Sequence, residues 1–196
     1  HMKKFLSVLL MAVTLTAASQ PKKVAKMAPT LVPGYYVNMK GDTLRGEIQT
    51  NPDDETDFYR GFFFKAAKGG KPVLMGAKKA KSYGFDGKDF TVIPFETGEI
   101  YAQYLAKGRL NFMEYRMHDV KDGEPIIAGV YFIQDTKADD AEKELRDLKQ
   151  ISNKFYKRDI KPYMKSQPVT WTDLDKFTFD KNAVTNAIKE FNKYYE

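Results

Sequence analysis

The sequence predicts an α+β fold, with an antiparallel β-sheet, sandwich or partly closed barrel followed by C-terminal helices. Two patterns carry this reading. Between Gly34 and Ile133, short runs rich in aromatic and β-branched residues alternate with glycine-bearing turns. Beyond residue 134 the apolar residues recur every three or four positions instead. Strands first and helices last is the α+β order. The chain has no cysteine, and aromatic residues make up 14% of it, so stability is expected from a packed core rather than from disulfides.

The N-terminus reads as an export signal. His1-Met2 looks like the remnant of a removed tag, and Lys3-Lys4 form a positive start. Phe5 to Leu15 is apolar apart from Ser7 and Thr14, and small residues follow at Ala17, Ala18 and Ser19. Cleavage after Ala18 or after Ser19 both satisfy the small-residue rule. The apolar run is too short to span a hydrocarbon core of roughly 30 Å, so an integral membrane protein is not expected. No cysteine is present to carry a lipoprotein anchor. Residues 1–19 are thus the tag remnant and signal peptide, and residues 20–33 a Pro- and Lys-punctuated linker. Residues 34–196 form one domain, β-rich to residue 133 and helical after it.

Within that domain, Tyr35–Met39 and Thr43–Ile48 flank Gly41-Asp42 as a first hairpin. Asn51–Asp57 reads as an acidic loop, Phe58–Lys65 as a strand, Lys68–Lys71 as a turn and Pro72–Ala77 as a strand. Lys81–Phe85 and Phe90–Phe95 form a second hairpin around Asp86–Asp89. Ile100–Leu105 and Leu110–Met117 form a third around Lys107-Gly108, and Ile126–Ile133 is apolar enough for a strand covered on both faces. The stripe Ala138, Ala141, Leu145, Leu148, Ile151 and Phe155 predicts a long helix capped by Asp135 or Thr136. Pro162 and Pro168 are expected to stop helices, and Thr172–Lys176 to form a short turn near Trp171. Asp180 caps a last helix with Val184, Ala187, Ile188, Phe191 and Tyr195 on one face.

The residue types exclude several chemistries. His118 is the only histidine besides His1, and with no cysteine a zinc site lacks ligands; no metal and no cofactor are expected. No serine sits in a nucleophile elbow, and there is neither a phosphate-binding glycine loop nor a dinucleotide fingerprint. Asn51–Asp57 lacks the ligand spacing of a calcium loop. A glycan-hydrolysing pair needs two carboxyls about 5 to 9.5 Å apart. Glu96, Glu99 and Glu114, with His118, are the candidate catalytic residues for that alternative. For binding, Lys78, Lys79 and Lys81 stand close to Tyr83, and Phe63 lies in a strand with aromatics on both faces. Lysine runs also serve to keep an edge strand from pairing with another chain.

Gly34–Val37 running into Lys40–Ile48, with Lys81–Phe90 and Gly129–Ile133, resembles segments of uncharacterised exported β-rich proteins of Gram-negative envelopes. The resemblance implies export and the β-then-α order, and brings no catalytic residues. Together these features lead to an exported, non-enzymatic module of the periplasm or outer cell surface. Its expected partner is another envelope protein. Anionic glycans or lipid head groups are the alternatives that the net charge allows, +6 for the whole chain and +4 once Lys3 and Lys4 leave with the signal peptide, and nucleic acid is not expected outside the cytoplasm.

Overall fold

In the computed structural model the described residues are 27–167, 172–176 and 178–196. The expected signal peptide, the first half of the expected linker, Pro168 and Trp171 lie outside them. The strands are β1 (Leu31–Asn38), β2 (Thr43–Gln49), β3 (Gly61–Ala66), β4 (Val73–Gly76) and β5 (Ala80–Phe85). They continue with β6 (Lys88–Phe95), β7 (Gly98–Ala106), β8 (Leu110–Lys121), β9 (Glu124–Asp135) and β10 (Lys149–Ile151). All belong to one antiparallel sheet in the order β10-β9-β8-β7-β6-β5-β1-β2-β3-β4. Among the described residues two α-helices follow, α1 (Tyr156–Met164) and α2 (Lys181–Lys193). The α+β class holds.

The connection from β4 to β5 forces the sheet to curl. Four strand spacings separate these neighbours in sequence, which is about 19 Å in a flat sheet. Three linking residues, Ala77 to Lys79, reach at most about 15 Å. The curl brings Phe62 of β3 onto Tyr83 of β5, with ring centroids 3.9 Å apart. Tyr101 of β7 meets both rings, and its hydroxyl donates to the Ala80 carbonyl at 2.9 Å. The sheet stays open, with β4 and β10 as its edges.

A 3₁₀ turn over Glu55–Tyr59 plugs the curled half, burying Thr56, Phe58 and Tyr59. The expected strand Phe58–Lys65 therefore starts later, at Gly61. A second core lies between the other half of the sheet and the helical layer, with Leu110, Phe112, Ile133, Ile160, Ile188 and Phe191 at its centre.

Several expected boundaries change for identifiable reasons. β1 begins at Leu31, inside the expected linker, because Leu31, Val32 and Pro33 pair with Gln49, Ile48 and Glu47. Pro33 is tolerated because pairing to β5 begins only at Gly34. β8 runs on to Lys121, and Asp122-Gly123, at φ 53° and 84°, makes a tight hairpin into β9. His118 is thus a strand residue. The first half of β9 is not covered on both faces, since Ile127 is 48% exposed.

The predicted long helix is absent. Asp140–Arg146 forms a broken 3₁₀ segment capped by Asp139, and Lys149–Ile151 pairs with β9. Ala141 and Phe155 of the supposed stripe are exposed. Pro162 sits inside α1 rather than ending a helix. The Asp180 cap of α2 is present, accepting from the Ala183 N–H at 2.7 Å. Val184, Ile188 and Phe191 of α2 are buried, with Ala187 and Tyr195 packed against them.

Candidate functional site

The mouth of the curled half is built around the 3₁₀ turn. Asp54 caps the turn, accepting from the Thr56 N–H at 2.9 Å and the Thr56 hydroxyl at 2.6 Å. Its other oxygen lies 2.7 Å from His118 Nε2. The Thr56 hydroxyl bond, followed by the His118 contact, holds the Asp54 carboxyl down at about 2. Asn51 donates to Asp57 at 2.7 Å. The acidic stretch is therefore a folded cap whose carboxylates serve their own chain. Among the described residues no group of three or more histidine or carboxylate side chains is placed to hold a metal ion.

The turn ends at Arg60, whose N–H donates to the Asp57 carbonyl at 3.0 Å while its side chain stands exposed. β3 starts immediately after it. Alternation then sends Phe62 and Phe64 into the core and leaves Phe63 outside at 44% exposure. The register pairs Phe63 with Leu74, itself 56% exposed, and pairs Gly61 with Gly76. An apolar wall thus stands beside a stretch of sheet that carries no side chains. Together they open a groove of about 570 Å³ between β3, β4 and the end of β2, with Arg60 and Lys79 at its rim.

A second groove of about 540 Å³ adjoins it, sharing Arg60, Gly76 and Lys79 and adding Lys78 and Glu99. Among the described residues, the side chains of Arg60, Lys78 and Lys79 have neither an ion pair nor a hydrogen bond. Three cations and two carboxylates, Asp57 and Glu99, therefore line the two grooves, and the positive balance favours an anionic ligand.

The expected binding residues separate into three fates. Phe63 and Lys79 share the groove, and Lys78 adjoins it. Lys81 is exposed on β5 and lines neither groove. Tyr83 is fully buried, its hydroxyl donating to the Phe58 carbonyl. Burial pushes that phenol well above its ordinary range. Tyr83 is a core residue, and its assignment to binding is corrected. Sequence reading missed Arg60, Leu74 and the Gly61–Gly76 pair, because their meeting depends on the β3–β4 register.

Of the candidate catalytic carboxylates, Glu114 stands away from the other two. Glu96 is in the β6–β7 turn and Glu99 is exposed at the start of β7. Glu114 on β8 pairs with Gln103, four residues beyond Glu99 on β7. That is roughly 13 Å of strand, beyond the span a glycosidase pair uses. Glu114 is buried, 3.2 Å from Lys181 Nζ on α2, and accepts from the Tyr131 hydroxyl at 3.2 Å. It fastens the helical layer to the sheet. His118, committed to Asp54, fastens the 3₁₀ turn to the β8–β9 ribbon.

No protein-family model, curated protein or solved structure matches this chain. Among the described residues no helix is long and apolar enough to cross a membrane.

Proposed function

We propose that this chain is an exported binding module of the cell envelope, and that it holds another envelope protein through the groove beside β3 and β4. One observation carries the reading: exposed apolar side chains, Phe63 and Leu74, flank a pocket lined by Arg60 and Lys79, which have no ion pair among the described residues. An apolar surface in a concave site with a few convergent polar groups is the usual form of a recognition site. The Lys3-Lys4 start with its short apolar run supports export. The distance of Glu114 from Glu99, and its commitment to Lys181 and Tyr131, weigh against the glycan-hydrolase alternative that would use it.

The test is affinity purification of the tagged full chain from its native envelope, with mass spectrometry, beside a Phe63→Ser/Leu74→Ser variant. Both side chains are already substantially exposed, so the variant should keep its fold. The expected result is a stoichiometric protein partner that the variant loses. Recovery of the wild-type chain alone, or of the same partner by both, would reject the reading.

A further inference from the structure

Resting on that reading, we propose that the groove takes an extended, carboxylate-bearing segment of the partner, which adds a strand to the free edge of β4. The edge itself supplies the first reason. β4 ends the sheet and pairs only with β3. Alternate residues of a strand turn their N–H and C=O groups away from the one neighbour they have. Outside the β3 ladder, the only backbone bond of β4 among the described residues is Lys79 N–H to the Gly76 carbonyl, at 2.8 Å. The outward groups of Val73 to Met75 remain open to a strand.

Side-chain exposure supplies the second. Val73 and Leu74 are each 56% exposed on this edge. Soluble proteins cover or charge apolar edges, because an open one recruits other chains. Here Leu74, Met75 and Gly76 of the apolar edge strand line a groove, which is the arrangement used for strand addition: main-chain bonds give affinity, and alternate side chains enter pockets.

Charge supplies the third and fixes the occupant. Arg60, Lys78 and Lys79 carry three positive charges without partners among the described residues, against the two carboxylates of Asp57 and Glu99, so the net charge along the two grooves is positive. A strand with apolar residues toward Phe63 and Leu74 and Asp or Glu toward Arg60 and Lys79 satisfies both features. A basic strand would add to the repulsion.

Gly76 provides a clean block. A Cβ added there meets nothing within 4 Å, and its φ is not in the left-handed region, so a large side chain projects into the groove without a clash. The experiment selects twelve-residue peptides by phage display on the immobilised full chain, then titrates the best synthetic peptide by fluorescence polarisation. Titrations use the wild type, Gly76→Trp and Arg60→Glu/Lys79→Glu, with amide exchange read at Val73 to Gly76. The prediction is enrichment of acidic residues alternating with apolar ones, and slowed β4 exchange on binding. Each variant should bind at least about tenfold more weakly, and added salt should weaken the wild type.

Failure to enrich any peptide, enrichment of basic or helical ones, or equal binding by Gly76→Trp overturns the proposal. So does binding of heparin or phosphatidylglycerol vesicles that Gly76→Trp leaves unchanged while no peptide binds. If Arg60→Glu/Lys79→Glu self-associates yet selects the same peptides, the cations merely guard the edge and the proposal also falls. An envelope partner captured equally by wild type and Gly76→Trp rejects strand addition while leaving the binding-module reading in place.

Discussion

Asn192 offers a quantitative test of how the helical layer is held. It is 3% exposed, donates to the Leu110 carbonyl at 2.9 Å and accepts from the Leu110 N–H at 2.8 Å. Its amide therefore stands where a neighbouring strand would, at a point where pairing between β7 and β8 has ended at Ala106 and Phe112. Gly108 permits this approach, since a Cβ there would come within 2.7 Å of the Asn192 amide. Asn192→Ala strands both backbone groups, at about 1–3 kcal/mol each. Some water entry offsets part of this, so a loss of about 2–4 kcal/mol is expected. For a domain of this size that lowers Tm by on the order of 10 °C.

Asn192→Asp sharpens the test. Its carboxylate keeps the bond from the N–H but faces the Leu110 carbonyl oxygen, so its folded pKa rises above the unfolded value of about 3.9. A raised folded pKa means that stability is fully present below the unfolded pKa and lost as pH rises through the folded one. The deficit of Asn192→Asp against wild type should therefore shrink as the pH falls toward 4. Urea denaturation followed by far-UV circular dichroism measures both variants. An Asn192→Ala loss below about 1 kcal/mol, or an Asn192→Asp deficit that ignores pH, would refute the reasoning.

Three further outcomes are expected. Asp54, held at about 2, contributes stability that is present above an unfolded pKa near 4 and lost as pH falls toward 2. Urea midpoints between pH 5 and 2 should fall less steeply in Asp54→Ala than in wild type. Lys181→Ala should cost about 1–3 kcal/mol by leaving buried Glu114 with Tyr131 alone. Most of that loss should return in Lys181→Met/Glu114→Gln, as read by urea midpoints. Glu96 sits at φ 51°, a conformation that favours glycine. Glu96→Gly should raise stability by about 1 kcal/mol in thermal melts.

The turns were the most legible part of the fold. Gly41-Asp42 and Asp86-Gly87 sit between β-prone runs, and each marks a hairpin in the structure. Asp122-Gly123 carried the same signal. Read that way, it would have extended β8 past His118. The final helix was legible as well, because Asp180 and the spacing of Val184, Ile188 and Phe191 agree. The supposed helix from Ala138 was not. Ala138, Leu145 and Ile151 are all buried in one core, but they reach it from a loop, a 3₁₀ segment and an edge strand respectively. A spacing of three and four records burial, and tertiary pairing to β9 decides the backbone. The 3₁₀ plug was hidden for a related reason, since Asp54 and Asp57 look like solvated loop residues until the curl of the sheet covers Thr56 and Phe58. In the groove, Phe63 and Lys79 stood out by residue type. Arg60, Leu74 and Gly76 join them only through the β3–β4 register, which no local pattern states.

Photo-crosslinking from within the groove tests most directly whether the β3–β4 face is where a partner sits. A benzophenone amino acid at Phe63 is compared in native envelopes with the same residue at Met39, which is 51% exposed on the β1–β2 turn. The predicted result is one discrete protein adduct from position 63, absent from position 39 and suppressed by Gly76→Trp. Equal labelling from both positions, or no adduct from position 63, would contradict it.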